Sequence, residues 1–131
     1  MTMKENDYLC PKCKGHLNSG GNVVFSTQNP RHAKGLILLH PTMGSYTYDH
    51  HKDYHLEKGD IIDFNCPLCL ADLKSTNNEN FASIKIIDHS NQEYEVLFSR
   101  KVGERSTYVV ANDNVESFGE DAMNFDDLFE F

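Results

Sequence analysis

Four cysteines stand in this chain, and they fall in two copies of one tetrapeptide: Cys10-Pro-Lys-Cys13 and Cys66-Pro-Leu-Cys69. A Cys-x-x-Cys turn presents two thiolates from a single tight bend, and two such turns complete a tetrahedral shell around one soft or borderline cation. The match runs past the sulfurs. Cys10-Pro-Lys-Cys-Lys-Gly-His-Leu17 recurs 56 residues later as Cys66-Pro-Leu-Cys-Leu-Ala-Asp-Leu73, with a small residue and a final leucine in register. Pro11 and Pro67 set φ just after the first sulfur and remove a donor that the turn does not need. Gly15 is expected to supply the positive φ that follows the second sulfur, and Ala71, in its place, to give the second turn a tighter or different winding. Cys10, Cys13, Cys66 and Cys69 are therefore the expected metal ligands. Unligated thiols or two disulfide pairs are the alternatives. A thiol-redox role needs the motif at a helix amino terminus within a βαβ unit, and neither copy has that context.

The two Cys-Pro-x-Cys knuckles, Tyr8 to Leu17 and Phe64 to Leu73, resemble those of zinc ribbons, in which two knuckles on β-hairpins clamp one zinc ion. The resemblance implies metal-binding roles for Cys10, Cys13, Cys66 and Cys69 and extends no further along the chain. Zinc-ribbon knuckles usually lie closer together, whereas 52 residues separate Cys13 from Cys66 here, which implies a long insertion. Iron suits the same four thiolates. Rubredoxin-like knuckles continue Cys-Gly, however, and Lys14 and Leu70 hold those places, which favours one structural Zn2+ with iron as the minor alternative. With four protein thiolates the metal has no open position for water or substrate, so a non-catalytic role is expected.

The rest of the chain reads as mainly β. Asn22 to Thr27 and Gly35 to His40 are aliphatic or β-branched runs bounded by Gly, Asn and Pro. Pro41 to Gly44 reads as a turn returning the chain into Ser45 to Tyr48. Asp60 to Asn65 leads into the second knuckle as Tyr8-Leu9 leads into the first. Ala82 to Asp88, Glu93 to Ser99 and Ser106 to Ala111 form an expected three-stranded meander. From Asn112 onward no β pattern stands out, and the apolar residues are loosely helical in spacing, so a short C-terminal helix is expected from about Asp121 to Phe129. The expected fold is a set of small antiparallel sheets organised by the four-cysteine site. It comprises one zinc-stabilised domain over residues 1–112, followed by an acidic aromatic tail over 113–131.

Charge separates these two parts. The net charge is -8, and residues 113–131 carry seven carboxylates with no Lys or Arg. Phe118, Phe125, Phe129 and Phe131 punctuate that acidic run, a composition suited either to docking aromatic anchors in a protein partner or to packing them back on the domain's own sheet, with the carboxylates as a solubilising face. Lys12, Lys14, Arg31, Lys34, Arg100, Lys101 and Arg105 offer an alternative nucleic-acid or ribonucleoprotein face, disfavoured by the overall acidity. His40, His50, His51 and His55 form a further candidate centre, with His51 and His55 at i, i+4. Lys52 stands where a helical metalloprotease motif needs Glu, so solvated loop histidines are the simpler reading. Lys4, Glu5 and Asp7 interrupt the amino terminus where a signal peptide needs an apolar run. The longest aliphatic stretch, Leu36-Ile-Leu-Leu39, is far short of the roughly 20 residues that span a bilayer. A reducing, cytoplasmic setting is expected, with no membrane partner.

Overall fold

A computed structural model describes residues 7–41, 46–88, 90–111 and 114–122. Ten strands form two antiparallel sheets: β1 (Asp7–Leu9), β2 (Asn18–Ser19), β3 (Asn22–Gln28), β4 (Lys34–Leu39), β5 (Tyr48–His50), β6 (Asp63–Asn65), β7 (Phe81–Ile87), β8 (Glu93–Ser99), β9 (Thr107–Ala111) and β10 (Asn114–Phe118). One sheet runs β1-β7-β8-β9-β10; the other runs β2-β3-β4-β5, with β6 also on β3. Because β4 occupies one edge of β3 along Val23 to Gln28, β2 and β6 share the other edge end to end.

Period-two burial drives this arrangement. Along β3, Val23, Phe25 and Thr27 point inward, and along β7, Ala82, Ile84 and Ile86 do the same. These faces meet in one core that draws from both sheets and includes Ile37, Phe64, Val96 and Val109. Phe98 bridges the layers, its ring 5.4 Å from Phe25 and 5.1 Å from Phe64.

The chain is an internal duplication far longer than the knuckles. β1 pairs with β7 through Asp7↔Ile87, Tyr8↔Ile86 and Leu9↔Lys85; 56 residues on, β6 pairs with β3 through Asp63↔Gln28, Phe64↔Thr27 and Asn65↔Ser26. Beyond the second knuckle the offset becomes 59. Leu39↔Tyr48, Leu38↔Asp49 and Ile37↔His50 correspond to Phe98↔Thr107, Leu97↔Tyr108 and Val96↔Val109. Even the hairpin turns agree. Asn29 Oδ1 accepts the N–H of Arg31 and of Ala33, both at 3.0 Å, with His32 at φ 68°. Asp88 Oδ1 accepts the N–H of Ser90 at 2.9 Å and of Gln92 at 3.0 Å, with Asn91 at φ 63°. Each half therefore consists of an entering strand, a knuckle and a β-meander, and each entering strand is lent to the sheet of the other half.

The C-terminal helix expected over Asp121 to Phe129 is a correction. Among the described residues there is no helix, and Asn114–Phe118 extends the meander as β10. Gly119, at φ 99°, turns the chain against the Arg105 carbonyl, where any Cβ would collide. The Asp121 N–H then donates to Arg105 O at 2.9 Å, and the Asp121 carboxylate accepts the Arg105 N–H at 2.8 Å. These sideways bonds take the place of i to i+4 helical ones. Residues 123–131, with most of the expected helix and Phe125, Phe129 and Phe131, lie outside the described residues, as do 42–45, which take in most of the expected Pro41 to Gly44 turn and the first residue of the expected Ser45 to Tyr48 segment.

One close approach is diagnostic of the packing. Tyr54 is buried, its hydroxyl 2.8 Å from Thr27 Oγ1, and its ring lies flat on Gly35, where a Cβ would stand 2.6 Å from Tyr54 Cγ. Gly35→Ala is expected to lower unfolding free energy by roughly 1–3 kcal/mol through overpacking, as read from urea denaturation. A change under a few tenths would contradict this packing.

Candidate metal centre

The duplication places the two knuckles as opposed halves of one site. The first carries the chain from β1, in one sheet, to β2, in the other; the second carries it from β6 toward β7, in the reverse sense. Both are therefore joints between the layers, and their sulfurs converge. Cys10 Sγ lies 3.8 Å from Cys69 Sγ, and Cys13 Sγ lies 3.8 Å from Cys66 Sγ. All four sulfurs fall within 4.8 Å of one another. Ligands 2.3 Å from one tetrahedral metal stand about 3.8 Å apart, so the spacing fits four thiolates around a single cation.

The local backbone prepares the first sulfur of each knuckle as an acceptor. Cys10 Sγ faces the N–H of Lys12 at 3.3 Å and of Cys13 at 3.5 Å; Cys66 Sγ faces those of Leu68 at 3.3 Å and Cys69 at 3.4 Å. Each turn is closed by the same pair of bonds, from Lys14 N–H to Cys10 O and Cys10 N–H to Gly15 O, and from Leu70 N–H to Cys66 O and Cys66 N–H to Ala71 O. The turns are thus wound alike, which corrects the expectation that Ala71 alters the second. The positive φ sits one residue earlier than expected, at Lys14 (62°) and Leu70 (65°), while Gly15 is not in the left-handed region. Gly15 instead makes room for the other knuckle, since a Cβ there would stand 2.4 Å from Leu68 Cδ1.

Cys10 and Cys66 are buried, and Cys13 and Cys69 reach the surface. Burial pushes the Cys10 thiol up to about 11 against the N–H donors of Cys13 and Lys12. Burial also acts on Cys66, but there the N–H groups of Cys69 and Leu68 and the neighbouring thiols outweigh it and bring the thiol down to about 7. The two positions are equivalent by the repeat. At these separations each further thiolate is resisted by the negative charge already present. A cation at the centre removes that resistance.

The candidate histidines form no such group among the described residues. His50 Nδ1 lies 2.9 Å from His51 O, His51 Nδ1 accepts the Asp53 N–H, and His55 Nε2 meets Glu57 Oε1 at 2.9 Å. The segment is not helical, so the i, i+4 spacing of His51 and His55 places them on no common face. Among the described residues the four cysteines form the one metal-capable group of this kind. Several basic residues are committed to the fold. Arg31 pairs with Asp60 at 2.6 Å, holding that carboxyl below its ordinary range, and buried Arg100 meets Asp63 at 2.5 Å while donating to the carbonyls of Ile62 and Glu79. No described helix is long and apolar enough to cross a membrane. No protein-family model, curated protein or solved structure matches the chain.

The backbone assignment makes a discriminating prediction. Lys14→Gly and Leu70→Gly remove left-handed strain and are expected to hold or raise stability by up to ~1 kcal/mol. Gly15→Ala, by contrast, requires the exposed Leu68 side chain to turn aside and the Cys13 sulfur, 3.2 Å from the added Cβ, to give slightly, and is expected to cost little, as Ala71 does in the other copy. Thermal melts of the three variants, with severe loss in Gly15→Ala alone, would restore the glycine to the bend.

Proposed function

We propose that Cys10, Cys13, Cys66 and Cys69 hold one zinc ion, and that the chain is a non-catalytic, metal-stapled β protein serving as a protein-interaction module. The observation carrying this reading is the pair of 3.8 Å cross-knuckle sulfur distances, the spacing of a tetrahedral thiolate shell. Zinc would there act as a clamp. Four thiolates leave it no position for water or substrate, and the sulfurs belong to the segments that pass between the sheets. The four unbridged cysteines accord with a reducing, cytoplasmic setting. The partner contact is assigned to the acidic aromatic segment beyond β10, whose carboxylates and phenylalanines suit an anchor-in-groove mode.

Elemental analysis of protein purified without chelator is expected to give one zinc per chain. Cys10→Ser or Cys66→Ser should abolish it and lower stability severely, since structural zinc binding contributes on the order of 10 kcal/mol to small folds. A strong chelator is likewise expected to collapse the cooperative thermal transition. A metal-free wild type with that transition intact would contradict the proposal. Truncation after Ala122, which spares β10, is expected to abolish partner binding while metal content stays at one; retained binding would remove the segment from the interface.

A further inference from the structure

The sheets do not close on each other everywhere. Between them lies a cleft of ≈ 580 Å³, inside the span of roughly 300–1,000 Å³ occupied by small-molecule sites. Its deeper walls are apolar and come in repeat-related pairs: Tyr8 with Phe64, Ile37 with Val96, and Leu39 with Phe98. The cleft therefore lies between the two halves, as the cysteine cluster does, but it is lined by other side chains.

The mouth is charged, with Lys58, Lys101 and Arg105 set among Glu104 and Glu120, so cations exceed carboxylates there, and it is held in place. Lys58 and Lys101 stand at its rim on two turns tied together by Gly59 N–H to Val102 O at 2.9 Å and Val102 N–H to Asp60 O at 2.8 Å. The Lys58 stem lies along Gly103, where a Cβ would stand 3.0 Å from Lys58 Cγ. The nearby Arg105 reaches Glu120 at 3.9 Å. Among the described residues, neither Lys58 nor Lys101 has a carboxylate within 4.0 Å.

We infer that this inter-sheet cleft binds a single-chain aliphatic carboxylate, with its chain along the apolar walls and its head group between Lys58 and Lys101. A small inorganic anion would leave the walls wet, and a neutral or cationic amphiphile would leave the ammonium groups unanswered or opposed. An apolar chain with an anionic head satisfies both, because burial of the chain and a charge-assisted hydrogen bond act on the same molecule. This inference stands apart from the metal reading, since none of the four cysteines lines the cleft.

The test is calorimetric titration of the zinc-loaded full-length chain with dodecanoate below its micellar concentration, with dodecyltrimethylammonium as comparison. Saturable one-to-one binding of dodecanoate, at least tenfold tighter than the cation, is expected. A Lys58→Glu/Lys101→Glu double variant, altered only at exposed side chains, is expected to keep the thermal transition and lose at least tenfold in dodecanoate affinity. Absence of saturable binding, equal affinity for the two head groups, or undiminished affinity in the double variant would overturn the inference. Binding that appears only after removal of residues 123–131 would also overturn it, by making the chain's own terminus the occupant.

Discussion

Four sulfur atoms from segments more than fifty residues apart meet where the chain passes between its two sheets. Negative charges at such separations repel strongly in a partly buried setting, and protons relieve the repulsion only by giving up the ligand character of the thiols. A single divalent cation at the centre would resolve the conflict and convert it into a cross-link. Each knuckle joins one sheet to the other, so such a cross-link would fix both the distance and the rotation between layers. The aromatic contacts of Phe25, Phe64 and Phe98 complete that interface from the apolar side.

The duplication explains why the site can form at all. A strand lent by each half to the opposite sheet brings the two knuckles face to face, and equivalent registers place their sulfurs symmetrically. The halves have diverged where symmetry is not needed. Lys12 and Lys14 decorate one knuckle, whereas Leu68 and Leu70 hold the matching places on the other and stand 63% and 67% exposed. Thr27 and Ile86 are likewise repeat mates, and only Thr27 serves Tyr54 by hydrogen bonding.

The knuckle repeat was legible in the sequence because metal binding demands particular residue types at fixed spacing. The larger repeat was not, because its determinants are backbone conformations that several residues satisfy. Asn29-Pro-Arg-His-Ala33 and Asp88-His-Ser-Asn-Gln92 build the same turn while sharing only a side-chain oxygen at the first place and a left-handed residue at the fourth. The extra three residues between Lys74 and Phe81 then shift the offset from 56 to 59 and hide the register. The meander strands could be read from alternating apolar residues. β10 could not, since an exposed edge strand needs little apolar patterning. Residue preference points to Gly15 for the positive φ, but closure of the turn onto Cys10 O sets it at Lys14 regardless of side chain.

The most direct test of the shared-cation account is X-ray absorption at the zinc edge of the reconstituted chain. Four sulfur scatterers at about 2.3 Å, with no nitrogen or oxygen in the shell, are the predicted result. A shell with two sulfurs and lighter atoms would mean that the knuckles bind separately, and would contradict the account.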